Sequence, residues 1–308
     1  MSFFQTPMRQ LIIALTFLIC LPLGAAADTA VAALTDGCTA GVGANCTALG
    51  QLYIEGDGVP QSDANGTGLF KLACEAGDAE GCWEYAWSHR QGLGIAQNDA
   101  AAAPIFQQSC DLGYLQACVD LGIMLEHAIG VPQDYAKAFA ILSPACTANS
   151  GSACLELGWI YENGFGVPVD LAKAVEFYAK ACDLEDAIAC YNMGGVLTTA
   201  GYGLPLDDSE AARYYIRSCN YGDADACGKV GIFYSLGRGG LTQSYATALA
   251  FFEQSCDGGS GLGCFGVAQS YENGWGVTAD INAARERYVF LCDRGNTEAC
   301  EGLERVGQ

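Results

Sequence analysis

The sequence predicts an all-α solenoid, an α/α array of about seven helix hairpins, and three observations support this fold class. Apart from Cys20, the cysteines form eight pairs in which seven residues separate the two members. The first members of successive pairs lie 36 or 37 residues apart. Apolar residues between the cysteines recur with the period of a helix. A fixed period in this range is typical of repeat arrays rather than of one globular core.

Repeats counted from the second cysteine of each pair divide the chain evenly. The pairs are Cys38 and Cys46, Cys74 and Cys82, Cys110 and Cys118, Cys146 and Cys154, Cys182 and Cys190, Cys219 and Cys227, Cys256 and Cys264, and Cys292 and Cys300. We place seven repeats at residues 46–81, 82–117, 118–153, 154–189, 190–226, 227–263 and 264–299. A half-repeat at 28–45 precedes them, and a C-terminal half-repeat and tail follow at 300–308.

Each repeat contains two amphipathic helices, which we name helix A and helix B. In the fourth repeat, the helix-A stripe is Cys154, Leu157, Gly158 and Tyr161, and the helix-B stripe is Ala174, Phe177, Tyr178, Ala181 and Cys182. Both stripes have the spacing of one helix face. The segment between them, "ENGFGVPVD", would predict a β-hairpin if its flanks alternated, but their period is helical. It is therefore predicted to be the turn of a helix hairpin.

The predicted boundaries of helix B are marked by residues with a capping chemistry. Twelve residues before each helix-B cysteine stand Ser62, Asn98, Asp134, Asp170, Asp207, Ser244 and Asp280, all suitable N-caps. Three residues after the cysteine stand Gly41, Gly77, Gly113, Asn149, Gly222, Gly259 and Gly295, which accept the left-handed conformation that ends a helix. Glu185 is the exception. Pro104 and Pro144 are expected to delay, kink or disturb the helices that contain them.

This geometry predicts that the two cysteines of each pair are bonded to each other. Each pair spans the end of helix B, a tight turn and the start of the next helix A, so that the sulfurs can meet locally. Equivalent cysteines of successive repeats would lie about 10 Å apart, beyond the limit of about 7 Å between the Cα atoms of a disulfide. Eight local disulfides require an oxidising compartment.

The first 27 residues are predicted to be a secretory signal peptide. Arg9 precedes an apolar run from Leu11 to Leu23, and Ala25 to Ala27 offer a cleavage site before Asp28. Such a run is too short for a spanning helix of about 20 residues. A lipoprotein signal that uses Cys20 is the weaker alternative, since the bulky Ile19 precedes it. We expect a periplasmic or secreted protein, cleaved after Ala27.

Composition narrows the range of partners and cofactors. The net charge is -21, and it becomes about -22 once Arg9 is removed, so binding to nucleic acid or anionic lipid is not expected. No membrane insertion is expected after cleavage. The cysteine spacing differs from that of zinc sites, and His89 and His127 are the only histidines. No metal and no cofactor is therefore expected, and the protein is predicted to be a monomer.

The repeat resembles a known family. Residues 154–170, "CLELGWIYENGFGVPVD", followed by Lys173, Ala174, Tyr178 and the pair Ala181 and Cys182, look like a Sel1-like repeat, a relative of the tetratricopeptide repeat. With the paired cysteines, the chain is similar to the secreted cysteine-rich repeat proteins of Helicobacter. The resemblance covers residues 28–308 and implies a right-handed superhelix that binds a protein or peptide along its concave surface.

The same resemblance implies an alternative function, because the Helicobacter proteins have been described as penicillin-binding proteins or β-lactamases. A serine β-lactamase uses the motifs Ser-x-x-Lys and Lys-Thr-Gly, and this sequence contains neither. A metallo-hydrolase would need a histidine cluster that two histidines do not supply. No catalytic residue is therefore assigned. β-Lactam binding or weak β-lactamase activity stays the alternative.

Two sets of residues on helix A are candidates for partner binding. Trp83, Trp87 and Trp159 lie one or five residues after a helix-A cysteine, in a stripe that forms either a recognition groove or packing between repeats. Glu84, Asp120 and Glu156 lie two residues after that cysteine in consecutive repeats. They form either a dock for a basic segment of the partner or an ordinary solvated helix face.

Overall fold

The computed structural model describes residues 23–201 and 205–307, and within them it contains sixteen helices and no strand. The helices are α1 (Leu23–Thr39), α2 (Gly43–Glu55), α3 (Asp63–Glu75), α4 (Ala79–Gln91), α5 (Asp99–Asp111), α6 (Leu115–Glu126), α7 (Tyr135–Thr147), α8 (Gly151–Asn163), α9 (Leu171–Asp183), α10 (Ala187–Thr198), α11 (Asp208–Asn220), α12 (Ala224–Leu236), α13 (Tyr245–Asp257), α14 (Gly261–Asn273), α15 (Ile281–Cys292) and α16 (Thr297–Val306). The predicted all-α solenoid is confirmed. Most of the predicted signal peptide lies outside the described residues, and it stays a prediction.

The helix-B starts follow from local side-chain chemistry. All seven predicted N-cap residues accept a hydrogen bond from a backbone N–H of the first turn, as Asn98 does from Ala101 and Asp170 from Lys173. These bonds satisfy amide groups that have no partner inside the helix. The predicted caps are therefore confirmed, and they set the same register in every repeat.

The two helices of a hairpin approach closely because helix A presents a small residue to a large one on helix B. A Cβ atom on Gly158 would lie 2.6 Å from the ring of Tyr178, and one on Gly194 would lie 2.7 Å from the ring of Tyr215. Such distances are too short for a real Cβ contact, so glycine permits the packing at these positions. The ring is therefore buried against the backbone of helix A.

One disulfide closes each junction between hairpins. The eight bonds join the cysteine pairs of the sequence, with Cα–Cα distances between 4.3 and 4.8 Å. Cys146, Cys154, Cys182 and Cys190 are at most 1% exposed. The two central bonds therefore belong to the core of the array, and all eight connect a helix B to the next helix A.

In five of the described hairpins, the turn contacts the preceding repeat. The second glycine of the turn has a positive φ, 61° at Gly94 and 76° at Gly276. A Cβ atom on Gly94 would lie 2.4 Å from the backbone of Asp63, the first residue of α3. The turn "NGFG" of the fourth repeat has the same role, since Gly166 lies against Tyr135 at the start of α7. These glycines permit close contact between neighbouring hairpins.

The prolines do not shorten the helices that contain them, contrary to the expected delay or disturbance. α5 begins at Asp99 despite Pro104, and α7 continues through Pro144 to Thr147. Both prolines are exposed, and so are Ala100 and Ala140, whose carbonyl groups lose the hydrogen bond that proline does not donate. Water can hydrogen-bond to these carbonyl groups, so each helix keeps its length.

The junction after helix B requires a left-handed residue even where the sequence does not supply glycine. The predicted glycines and Asn149 have positive φ, and Glu185, the exception, adopts a φ of 66° as well. A side chain with a Cβ atom costs about 1 kcal/mol or more in this conformation. The disulfide between Cys182 and Cys190 and the flanking helices hold Glu185 there.

Replacing Glu185 with glycine is therefore expected to stabilise the protein by about 1 kcal/mol, because glycine adopts a positive φ at little cost. Urea unfolding of the oxidised protein measures the change. Glu185→Ala is the matched control, since it removes the same charge but keeps the Cβ atom. Equal stabilisation by the two variants would assign the gain to charge and contradict the explanation by backbone strain.

The A helices form the inner layer of the array. Three pairs of successive A helices pack against each other, α2 with α4, α6 with α8, and α12 with α14. No two successive B helices among the described residues make comparable contact. The array therefore curves with the A helices on its concave side. The candidate binding residues of the sequence all lie on this layer.

Candidate functional site

The concave layer repeats one register of positions between neighbouring A helices. The residues five, eight and nine positions after the cysteine of one helix A face those two, five, six and eleven positions after the cysteine of the next. The intervening helix B contributes the residue four positions before its own cysteine. The side chains at these positions decide whether an interface between repeats is filled, bonded or open.

Trp83, Trp87 and Asp120 connect the second and third repeats. The indole N–H groups of Trp83 and Trp87 both donate to Oδ2 of Asp120, at 2.6 and 3.2 Å. Asp120 is 5% exposed, and burial raises its pKa while the two indole hydrogen bonds lower it. Its carboxylate therefore has partners inside the protein. Asp120 is not part of a solvated ladder and is a structural brace between repeats.

The two tryptophans share Asp120 as a hydrogen-bond acceptor but differ in their other neighbours. Trp83 also packs against Tyr114, with ring centroids 5.5 Å apart. Trp87 contacts Phe106 edge-on at 6.3 Å, and the guanidinium of Arg90 lies 5.1 Å from its ring. Both indoles are half-buried. Trp87 in addition lines a cavity on the other side, between α2 and α4.

Glu84 and Trp87 lie together in that cavity. Glu84 is half-buried, and burial raises its pKa, with the Gln51 side chain acting in the opposite direction and Glu80 adding to the rise. Glu55, which was not among the residues selected from the sequence, lines the same cavity. Two carboxylates and an indole are thus gathered on the concave side of the first two repeats.

Glu156 and Trp159 occupy the equivalent positions of the fourth repeat. Trp159 is half-buried, with its ring centroid 5.7 Å from that of His127 and 4.6 Å from that of Phe165. Burial raises the pKa of Glu156 to about 7, and the nearby carboxylate of Asp186 adds to the rise. Neither the half-burial of Trp159 nor the raised pKa of Glu156 is expected for a solvated helix face.

A buried carboxylate, Glu126, was also not among the residues selected from the sequence. Its side chain is 1% exposed, and neither carboxylate oxygen has a hydrogen-bond partner. Burial and the charge of Glu156 raise its pKa to about 8. The equivalent carboxylates are bonded, since Glu162 accepts from the Tyr178 hydroxyl at 2.5 Å and Glu272 from that of Tyr288 at 2.6 Å.

The sequence contains the signal for this difference. Where the fourth and seventh repeats have Tyr178 and Tyr288 on helix B, the third repeat has Leu142. Leucine offers no hydroxyl group, so the carboxylate of Glu126 is left without a donor. Alignment of these two positions across all repeats therefore distinguishes Glu126 from the bonded carboxylates.

The two histidines have separate surroundings. His89 packs edge-on against Tyr85 at 4.8 Å, its Nδ1 atom is buried without a hydrogen-bond partner, and burial lowers its pKa. His127 is exposed at the end of α6. In the described part of the chain, no group of three or more His, Cys, Asp or Glu side chains is arranged to hold a metal ion. The β-lactam alternative stays a prediction.

Comparison with known protein families identifies seven repeats in the chain. The model of the Sel1 repeat family matches residues 46–78, 79–114, 115–150, 151–186, 187–223, 224–260 and 261–286. No curated protein matches the chain. No helix within the described ranges is both long and apolar enough to cross a membrane.

Three solved structures are similar to this chain. A protective antigen of uropathogenic Escherichia coli with an SLR fold is 24% identical over 90% of this chain, with a TM-score of 0.72. This chain spans 59% of the length of that antigen. A Sel1 repeat protein from Oxalobacter formigenes is 23% identical, and the match covers 73% of this chain and 94% of that protein, with a TM-score of 0.67. Helicobacter pylori cysteine rich protein B is 35% identical over 42% of this chain and 92% of its own, with a TM-score of 0.36.

Proposed function

Because the chain belongs to the Sel1 repeat family, we propose that it is a non-catalytic scaffold that binds a basic protein segment along its concave surface. The fold is consistent with a role in protein interaction. Its eight disulfides indicate an oxidising compartment outside the cytoplasm. Binding in the periplasm or outside the cell is part of the proposal.

The observation that carries the proposal is the pairing of a half-buried carboxylate with a half-buried indole in two repeats. Glu84 lies beside Trp87, and Glu156 is three residues from Trp159 on the same concave layer. Burial raises the pKa of both carboxyl groups. A cation from a partner would stabilise their charged forms and could also contact the indole rings.

The sign of the surrounding charge favours the same partner. Of the five carboxyl groups that lie two or eight residues after the cysteine in repeats two to four, Glu84, Glu156 and Glu162 are half-buried, whereas Asp120 and Glu126 are buried. The one cation at these positions is Arg90. Arg90 pairs with Asp99 at 3.5 Å and contacts Trp87, so its charge is used within the chain. With a net charge of -21, the protein attracts basic segments over long distances.

Of the six residues selected from the sequence, we assign four to the binding surface. Glu84, Trp87, Glu156 and Trp159 form the proposed acidic-aromatic strip. Trp83 and Asp120 are assigned to the brace between repeats, because the indole N–H of Trp83 and the carboxylate of Asp120 are bonded to each other. Removing either of them is expected to weaken the array and not the binding surface alone.

Binding of a labelled 12-residue peptide that alternates lysine and serine tests the proposal by fluorescence anisotropy. We expect the dissociation constant of the oxidised protein to rise at least tenfold between 50 and 300 mM salt, because charged contacts are screened. The double variant Glu84→Gln and Glu156→Gln is expected to weaken binding at least tenfold at low salt, as it removes both carboxylates of the strip.

The matched control carries the same change of charge on the B helices. Glu176 in α9 and Glu210 in α11 are exposed, and the variant Glu176→Gln with Glu210→Gln should bind within about twofold of the unmodified protein. Equal losses of affinity in the two double variants would show that the effect comes from net charge and not from the strip. An affinity that does not change with salt would contradict the proposed basic partner.

A further inference from the structure

A cavity of about 160 Å³ lies between α2 and α4, on the concave side of the first two repeats. Its apolar lining is formed by Ile54, Phe70, Trp87 and Leu93, and Gln51 and Ser88 add neutral polar groups. Phe70 is 2% exposed, so it closes the floor from the helix-B side. Glu55, which is exposed, and Glu84, which is half-buried, add two carboxylates to the lining.

The same register contains a second cavity, of about 240 Å³, between α12 and α14. Phe252 takes the place of Phe70, and Trp275 takes the place of Leu93. The two carboxylates are replaced, since Leu236 stands at the position of Glu55 and Gly266 at that of Glu84. The second cavity therefore lies at the same place in its repeat but has no acidic group in its lining.

The combination in the first cavity matches the chemistry of a long basic side chain. Lysine and arginine have an apolar stem that packs against apolar walls and a charged head that binds carboxylates. Trp87 offers an aromatic face to the same head group. An apolar side chain would leave Glu84 half-buried without a cation, and an acidic one would be repelled by both carboxylates.

The cation already near Trp87 does not occupy this space. Arg90 pairs with Asp99, the first residue of α5, and is not part of the cavity lining. The indole N–H of Trp87 is likewise bonded on the side of the third repeat, to Asp120. The face of Trp87 toward α2 is thus available for a side chain from outside.

We propose that this cavity is the anchor site for one lysine or arginine side chain of the partner, with the stem against Ile54 and Trp87 and the charge between Glu55 and Glu84. The assignment rests on the proposed scaffold function and adds to it one specific contact, between this cavity and one basic side chain of the partner. The equivalent cavity between α12 and α14 selects no charge and serves as an internal comparison.

Nuclear magnetic resonance of the indole N–H groups tests the anchor site directly, because the chain has four tryptophans and one lies in each cavity. The probe is an acetylated, amidated pentapeptide with one central lysine among glycine and serine. We expect it to shift the Trp87 signal in a saturable titration and to leave the Trp275 signal in place. The same peptide with norleucine, which keeps the stem without the charge, should not shift Trp87.

Two variants complete the test. Glu84→Gln is expected to weaken the lysine titration at least fivefold, while an unchanged Trp275 signal reports that the array is folded. Glu75→Gln on the neighbouring α3 makes the same change of charge outside the cavity and should titrate like the unmodified protein. A Trp87 signal that moves equally with lysine and norleucine would overturn the anchor assignment.

This result is separable from that of the proposed function. If the lysine and serine peptide binds with the expected dependence on salt but the pentapeptide leaves Trp87 unmoved, the anchor site is wrong and the scaffold proposal stands. If the pentapeptide shifts Trp87 but the longer peptide binds no more tightly than the pentapeptide does, the anchor site stands and the extended acidic-aromatic strip is wrong.

Discussion

Reduction of the eight disulfides is expected to unfold the protein under conditions in which the oxidised form is fully helical. In the chain-entropy model, each bond closes a loop of about nine residues and contributes about 2.5 kcal/mol. Eight bonds contribute about 20 kcal/mol, which is of the same order as the whole free energy of unfolding expected for an array of this length. Far-UV circular dichroism with and without a phosphine reductant measures the loss of helix.

Removing one bond locates the effect within the array. The variant Cys146→Ala with Cys154→Ala is expected to lose about 2–3 kcal/mol and to unfold in two steps, because the bond lies at a central junction. Removal of the first bond, with Cys38→Ala and Cys46→Ala, should affect only the N-terminal hairpin. A reduced protein that melts cooperatively within a few degrees of the oxidised one would contradict this account.

Replacing Glu126 with glutamine is expected to stabilise the protein by about 4 kcal/mol near pH 7.5. The pKa of Glu126 is raised by burial, and further by Glu156, from 4.5 to about 8. The unfolded chain therefore releases this proton at lower pH than the folded protein does. The stability that the neutral Glu126 carboxyl group contributes is therefore fully present below pH 4.5 and is lost as the pH rises through its folded-state pKa of about 8.

The direction of the pH dependence identifies Glu126 as the group responsible. Glutamine has no proton to lose, so the advantage of Glu126→Gln should shrink toward zero at pH 4.5 and grow with rising pH. Urea unfolding of the oxidised proteins at several pH values measures the difference. The matched control is Glu162→Gln, which replaces the carboxylate that accepts the Tyr178 hydroxyl bond with a neutral amide and is expected to give no stabilisation at pH 7.5.

A second variant supplies the missing donor and leaves the carboxylate in place. Leu142→Tyr should offer Glu126 the hydroxyl bond that Tyr178 offers Glu162, with a gain of about 1–2 kcal/mol at neutral pH. The facing residue of helix A is a glycine in both repeats, because Gly122 lies against Leu142 as Gly158 lies against Tyr178. If Glu126→Gln stabilised the protein equally at pH 4.5 and pH 8, the unpaired charge would not be the cause.

Several features of the fold were predictable because they depend on neighbours in the chain. The capping of Asp170 needs only the backbone of the next turn, and the disulfide of Cys146 needs only the short junction to Cys154. Glu185 shows the limit of such rules. Its residue type argued against a left-handed conformation, but the junction between two packed helices imposes that conformation.

The candidate site was only partly predictable, because each of its positions is completed by another repeat. Glu84 and Asp120 occupy the same place in the repeat and look alike in the sequence. Asp120 is buried under two indoles from the preceding helix A, whereas the preceding helix A leaves a cavity beside Glu84. The tryptophan stripe likewise contributes both to packing between repeats and to the concave surface. The sequence of a single repeat does not distinguish these two roles.

The sequence by itself determined the hairpin, its period, its caps and its cysteine pairs, since local backbone and side-chain chemistry specify them. The tertiary structure alone decided that Asp120 is bonded to two indoles, that Glu126 is buried and that Glu84 faces an open cavity. The physical reason is that solvation and hydrogen bonding depend on the side chains that neighbouring helices contribute. Leu142, on the helix B that packs against the helix A of Glu126, donates no hydrogen bond to that carboxyl group, and burial together with Glu156 raises its pKa.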